Sequence, residues 1–363
     1  MTAGRVLLCA LFATRVVALD LEPFVLGAFV QSATFSIANQ LGFFIAQGLD
    51  VTFAQIPNST FGYARLLDGT FDMVIGTIDN AVNLRFNQNA SLTVVGQLDG
   101  GNDIILAGVP SVTSVEDLRG KPIMVDSASS GYVFLLRKIL SLFALPPSDY
   151  TFQAHPLTST KVVGGTSLRF ANLAAGSLPD GTPVFGTILT YPFTGMAAHL
   201  DTPLPELARA STFVAPFSSS SVTVATSAFD DLSPASPHVR ATAALLAANR
   251  FLASQDPAQI QCSRAAIASE LGIAPDSTLL DAEFMAATAP VTGETAQVDF
   301  EVNSVGLWSV VDLRAQQQAF AGAGDRFNFV DALQPGPGQL IDNRMGDAAI
   351  DIAGTIPVPS SCA

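Results

Sequence analysis

The sequence predicts an α/β protein made of two units, each a mainly parallel sheet flanked by helices. Three observations lead there. Short apolar runs alternate with helix-length segments from Leu21 to Leu189, the pattern of βαβ units. At 363 residues the chain exceeds one ordinary domain. Apolar residues make up 49% and charged residues 13%, so large cores can form and a disordered chain is excluded.

In chain order, Leu21 to Phe29 is a nearly continuous apolar run, as in a strand buried on both faces. Phe35 to Gln47 reads as a helix with Ile37, Leu41 and Phe44 on one face, stopped by Gly48. Leu49 to Ile56 is a second strand, and Tyr63 to Asp68 a short helix ended by Gly69. A strand at Phe71 to Gly76, a helix at Ile78 to Asn87 and a strand at Leu92 to Gln97 follow. Ile104 to Gly108 begins the crossing into the second unit. There, Ser114 to Asp117 resembles a capping box. Strands are expected at Lys121 to Val125, Tyr150 to Ala154 and Val184 to Leu189, with helices at Tyr132 to Phe143 and Leu168 to Ala175. Val222 to Thr226 is a return strand. Helices then follow at His238 to Gln255, Ile260 to Leu271, Thr278 to Ala287 and Val305 to Phe320. The Pro- and Gly-punctuated tail, 334–363, is expected to be irregular.

Residues 1–18 carry Arg5 and Arg15, no acid, and an apolar stretch from Val6 to Ala13, and read as a secretory signal ending at Ala18. A mitochondrial transit peptide is the alternative. No later run is long and apolar enough to span a bilayer. Cys9 falls in the signal, so an exported chain retains Cys262 and Cys362, which either pair or stay as thiols. Asn58 and Asn89 open glycosylation sequons. Seventeen basic against 31 acidic residues give a net charge of −14. With only Lys121, Lys138 and Lys161 as lysines, nucleic acid and anionic membrane surfaces are excluded as partners.

Three blocks resemble a known family. They are the stretch from Phe35 through Gly42-Phe43-Phe44 and Gly48-Leu49-Asp50 to Val51, the element Leu66-Leu67-Asp68-Gly69 to Val74, and Ser114 to Val125 with Asp117-Leu118-Arg119-Gly120-Lys121 at its centre. A weaker echo is Leu173 to Gly176 followed by Thr190 to Phe193. Their order and spacing are similar to the type II periplasmic substrate-binding proteins, in the branch of nitrate, taurine, alkanesulfonate and thiamine-pyrimidine-synthase-like proteins. The resemblance implies a two-lobed fold with a ligand cleft between lobes. Lobe 1 would comprise 19–107 plus 217–333, and lobe 2 108–216. It also implies a small-molecule ligand, an ABC permease partner if the source is bacterial, and a monomer.

Ligands of open α/β sheets bind at the carboxyl ends of the strands. In the first lobe those ends carry Gln31, Ser32 and Phe35, then Asn58 and Ser59, then Thr77, Asp79 and Asn80. In the second they carry Ser127, Ser129, Ser130, Gly131 and Tyr132, then Thr158, then Thr190 and Tyr191. The turn Ser127 to Gly131 either holds a polar group on its backbone amides or only caps a helix. Phe29, Phe35, Tyr132 and Tyr191 either sandwich a ring or belong to the core. Asp79 either receives a donor from the ligand or caps a helix. These ends carry no Arg or Lys, which favours a neutral or zwitterionic organic ligand, with heterocyclic and sulfonate-like compounds among the candidates, over a small inorganic anion.

Nucleophile elbows, phosphate loops, dinucleotide fingerprints and CxxC pairs are missing from the sequence. His155, His199 and His238 lack metal-ligand spacing. The family's synthases use a cysteine-rich iron motif and a lysine-bound pyridoxal phosphate, whereas this chain has no cysteine cluster and Lys161 matches nothing in that motif. An exported binder without metal, cofactor or catalysis is therefore expected. A synthase-like enzyme and a secreted interaction module that kept the fold are the alternatives.

Overall fold

The computed structural model describes residues 20–101, 104–153, 164–297, 299–324, 327–358 and 362. The expected signal, 1–18, lies outside the described residues, as do His155, Thr158 and Lys161. The first unit runs β1 (Glu22–Ala28), α1 (Ala33–Gln40), α2 (Phe43–Ala46), β2 (Leu49–Gln55), α3 (Ser59–Leu67), β3 (Met73–Thr77), α4 (Ile78–Gln88) and β4 (Leu92–Gln97). The chain then crosses to β5 (Ile105–Gly108), β6 (Pro122–Met124), α5 (Gly131–Leu142), β7 (Thr151–Gln153), α6 (Thr166–Ala175), β8 (Gly186–Leu189), α7 (Phe193–Ala198) and β9 (Glu206–Arg209). It returns through β10 (Ser220–Ala225) and ends with α8 (Pro237–Leu252), α9 (Pro257–Leu271), α10 (Thr278–Ala287), α11 (Ser304–Gln316), α12 (Phe329–Leu333) and α13 (Arg344–Ala353).

Local chemistry explains several boundaries. Gly48 and Gly69 sit at φ +70° and +78° just past α2 and α3, a conformation that costs a side-chain-bearing residue energy. The Asn58 side chain accepts the Phe61 N–H and starts α3. Ser114 and Asp117 exchange side-chain-to-backbone hydrogen bonds in both directions, the reciprocal capping box expected there.

The two five-stranded sheets have orders β2-β1-β3-β10-β4 and β7-β6-β8-β5-β9. In each, four strands run the same way, and the inserted strand, β10 or β5, is antiparallel to both neighbours. The reason is connectivity. Each inserted strand enters from the opposite lobe, across the cleft edge, so it travels against the strands whose carboxyl ends form that edge. β5 therefore belongs to the second sheet.

The core behind the first sheet packs Leu26, Met73 and Val222 with Leu245, Leu246 and Met345. Its other contributors come from α8, α9 and α13, which wrap the lobe containing β1. The second sheet buries Leu106, Ile123 and Ile188 with Val133, Leu136 and Ile139 of α5. The tail is not irregular throughout: α13 packs on α8, with Met345 and Ala349 fully buried. Prolines lie outside this helix, and its one internal glycine, Gly346, is buried without breaking it, so apolar periodicity prevails. A disulfide joins Cys262 of α9 to Cys362, tying the tail to the same lobe.

Candidate functional site: the interlobe cleft

The carboxyl edges of the two sheets face each other across a half-enclosed cleft. From the first lobe, the end of β1 contributes Phe29 and Ser32, the end of β3 Thr77 and Asn80, and the end of β4 Leu98 and Asp99. From the second, the end of β6 contributes Asp126, Ser130 and Tyr132, α6 contributes Thr166 and Arg169, and the end of β8 contributes Thr190 and Tyr191. Ala286, Ala287 and Glu294, near the end of α10, close the remaining side.

The lobes touch directly. The Gly131 N–H at the start of α5 donates to Asn80 Oδ1 of α4 at 3.0 Å. Asp126 Oδ2 accepts the Ser59 N–H and hydroxyl, both at 3.2 Å. Gln55 Nε2 donates to Ser167 Oγ at 2.9 Å. Position 131 must be glycine for this approach, because a Cβ there would lie 2.7 Å from Thr77 Oγ1 and 2.8 Å from Asp79 Cβ.

Charge in the cavity comes from four buried groups. Asp126 Oδ1 accepts the Tyr132 hydroxyl at 2.8 Å, and the Arg169 guanidinium lies 4.8 Å from that ring. Arg169 donates to Thr187 Oγ1, Gly164 O, Thr166 Oγ1 and Ile188 O, between 3.0 and 3.2 Å. Asp99 accepts the N–H groups of Gly101 and Ser220. Glu294 accepts the first two N–H groups of α1, from Ala33 at 2.8 Å and Thr34 at 2.7 Å. Burial raises the Glu294 carboxyl to about 7, and Asp99 adds to the rise while the α1 amides oppose it. Burial likewise pushes the Tyr191 hydroxyl well above its ordinary range, reinforced by Glu294 and Glu283.

Of the residues expected at the cleft, Ser32, Thr77, Asn80, Ser130, Tyr132, Thr190 and Tyr191 line the cavity. Ser59 and Gly131 lie in the contacts that join the lobes across it. The others are employed elsewhere. Phe35 packs in the core against Phe44 and Phe53 at 5.9 and 5.1 Å, because the first turn of α1 directs it away from the cleft edge. Asp79 is paired with Arg314 of α11 and stands in the first turn of α4, whose N-cap is Thr77. Gln31 bonds to Glu270 in a neighbouring depression. Ser127 and Ser129 bond to each other at the exposed turn. The amide that opens α5 is already taken by Asn80.

The absence of cations expected at this edge is corrected by Arg169, which reaches the cavity from a helix rather than a strand end. Asp126 and Asp99 follow β6 and β4 directly, so the strand-end rule applied to every strand would have found both. Glu294 has no local signal.

Residues 30–165 match the model of the family described as NMT1/THI5 like. A comparison with curated protein sequences returns no match. Among solved structures, a protein from Bordetella bronchiseptica RB50 superposes with TM-score 0.65 and 15% identity, covering 93% of this chain and 99% of that one. The alkanesulfonate-binding protein SsuA from Xanthomonas axonopodis pv. citri, bound to MOPS, gives TM-score 0.61 at 16% identity, covering 89% and 99%. A Candida albicans gene product described as having the generic periplasmic binding protein fold gives 0.58 at 13%, covering 89% and 97%. The resemblance read from the three sequence blocks, to the type II fold and its sulfonate- and THI5-like branch, is borne out. The NMT1/THI5-like segment includes Asn80, Asp99, Asp126 and Tyr132. Arg169, Tyr191 and Glu294 lie beyond it.

Proposed function

We propose that this chain is an exported solute-binding protein that captures a small neutral or zwitterionic organic molecule between its lobes by hinge closure, without catalysis. One observation carries the reading. A cleft is walled by both sheet edges, and apolar Phe29, Ile75, Leu98 and Tyr191 alternate there with a few oriented polar groups. Likeness to an alkanesulfonate-binding protein supports it, and a bacterial source would supply an ABC permease as partner. The disulfide fits an oxidising compartment. Both sequon asparagines reach the surface: Asn89 is exposed and Asn58 half-buried.

The test is a thermal-shift panel of vitamins, amino acids and sulfonates. A true ligand at about 100 times its Kd adds about 2.7 kcal/mol of stability, a rise in Tm of several degrees. Tyr191→Ala and Phe29→Ala, both at the cavity wall, should abolish the rise. A flat response to the whole panel, or an undiminished rise in both variants, rejects the site. Visible absorbance of a bound pyridoxal group in the purified protein would favour the synthase-like alternative instead.

A further inference from the structure

We infer that closing the cleft consumes a proton, taken up by the Glu283 carboxyl, so that acid favours capture of a ligand and alkali favours its release. The inference rests on hinge closure being the capture step and adds the proton which that step requires.

Glu283 lies where the two lobes meet. Its helix, α10, joins the first lobe's core through Leu280 and Ala287 and packs on α9. Facing it is α7, which follows β8 and sends Phe193 and Ala197 into the second lobe's core. The Gly195 backbone of α7 comes so close that a Cβ there would collide with Glu283 Oε1. One turn further along α10, on the same face, Ala286 and Ala287 line the cleft. The contact that covers Glu283 is therefore part of the seam that encloses a ligand.

With the lobes together, Glu283 is fully buried, and neither carboxyl oxygen has a hydrogen-bond partner among the described residues. A carboxylate stripped of water and given no donor is far costlier than the neutral acid. Burial accordingly raises this group to about 8. Lobes parted along α7 admit water to the carboxyl, and its hold on a proton falls back toward that of an ordinary glutamate.

No neighbouring cation relieves the charge among the described residues. α7 carries no charged side chain, and His199 behind it spends Nδ1 on the Gly195 carbonyl. Toward α9, Arg264 is ion-paired with Asp281, and Glu270 accepts the side-chain amides of Gln31, Asn39 and Gln40. Tyr191, with its unpartnered hydroxyl, and Glu294 beyond it add only acidic groups.

The direction follows. The closed state keeps its proton up to about pH 8, whereas the parted state gives it up near 4.5. Closure is most favoured below the lower value, weakens by up to about tenfold per pH unit between the two, and levels off above the higher one.

Small-angle scattering of the ligand-free protein at pH 5.5 and pH 8.5 tests this. The radius of gyration should grow at pH 8.5, while Glu283→Gln, which mimics the neutral acid, should stay compact at both. Asp79 and Glu294, raised to about 6 and about 7, titrate in the same interval. Equal expansion of the variant would assign the motion to them and overturn the inference, as would a wild-type radius that ignores pH. Should the variant fail to fold, hydrogen exchange on the unaltered protein decides. Corrected for intrinsic base catalysis, amides of α7 and α10 should lose at least tenfold more protection than those of α8 between the two pH values. Uniform protection overturns the inference. No ligand enters these measurements, so a flat thermal-shift panel rejects the solute-binding reading alone, and a pH-independent radius rejects the proton linkage alone.

Discussion

The junction between the lobes buries charge at two places, built in opposite ways. At one, Arg314 of α11 pairs with Asp79 of α4, and neither side chain is more than 3% exposed. The guanidinium also donates to Asn83 Oδ1 at 3.1 Å and to the Ser129 carbonyl of the second lobe at 3.3 Å, and it lies 4.2 Å from the Phe134 ring. At the other, where α10 meets α7, Glu283 is fully buried with both carboxyl oxygens unpartnered, and the Tyr191 hydroxyl within its field is unpartnered too. The first place has its charges matched and holds the lobes in fixed relation. The second stores unmet polar demand that water satisfies when the surfaces part.

Breaking the matched pair should have the largest effect. Arg314→Met leaves Asp79 buried without its counter-charge, at a cost of about 3–5 kcal/mol in denaturant unfolding. Asp79 is already raised to about 6 by burial, with Arg314 opposing the rise. Below that pH the carboxyl takes a proton, so the deficit should be smaller at pH 5 than at pH 8. An equal deficit at both would show that the charge is not what matters.

Removing the unmatched group should go the other way. Burial raises Glu283 to about 8, far above the usual glutamate range. Between the unfolded pKa near 4.5 and the folded value, the native state binds more protons than the unfolded one. Stability therefore falls as pH climbs through that window and levels off above about 8. Glu283→Met removes this slope, and at pH 9 it should stabilise the protein by about 1–3 kcal/mol, since an unsatisfied buried group is exchanged for an apolar one. A stability loss at pH 9 would mean that the carboxyl has a partner after all.

The mildest change probes how tightly α7 packs against α10. A Cβ on Gly195 of α7 would come within 2.2 Å of Glu283 Oε1. Because that oxygen ends a flexible side chain, Gly195→Ala should cost only about 1 kcal/mol in overpacking. Its clearer signature is a larger radius of gyration in small-angle scattering, from lobes held apart. An unchanged radius together with unchanged stability would place the opening elsewhere.

Much of this architecture was legible in the chain itself. The Leu21 to Phe29 run, the glycines at 48 and 69, and the Ser114–Asp117 capping box act within a few residues, so each can be read without knowing the fold. Strand ends pointed to Thr77, Asn80, Tyr132 and Tyr191, since position along a strand determines which edge a residue reaches. Side-chain direction was not legible. Phe35 and Asp79 stand at strand ends as well, yet one turns into the core and the other toward α11.

What the sequence alone determined is the succession of strands and helices, because periodicity and capping are near-neighbour properties. Tertiary structure decided the charge of the cleft and the character of its junctions. Asp79 and Arg314 are 235 residues apart, and Ala33 and Glu294 are 261 apart. No local pattern encodes such meetings. They follow from the two crossings that set β5 and β10 into the opposite sheets, and from burial, which turns ordinary carboxyls into groups that must be paired, protonated or met by a ligand.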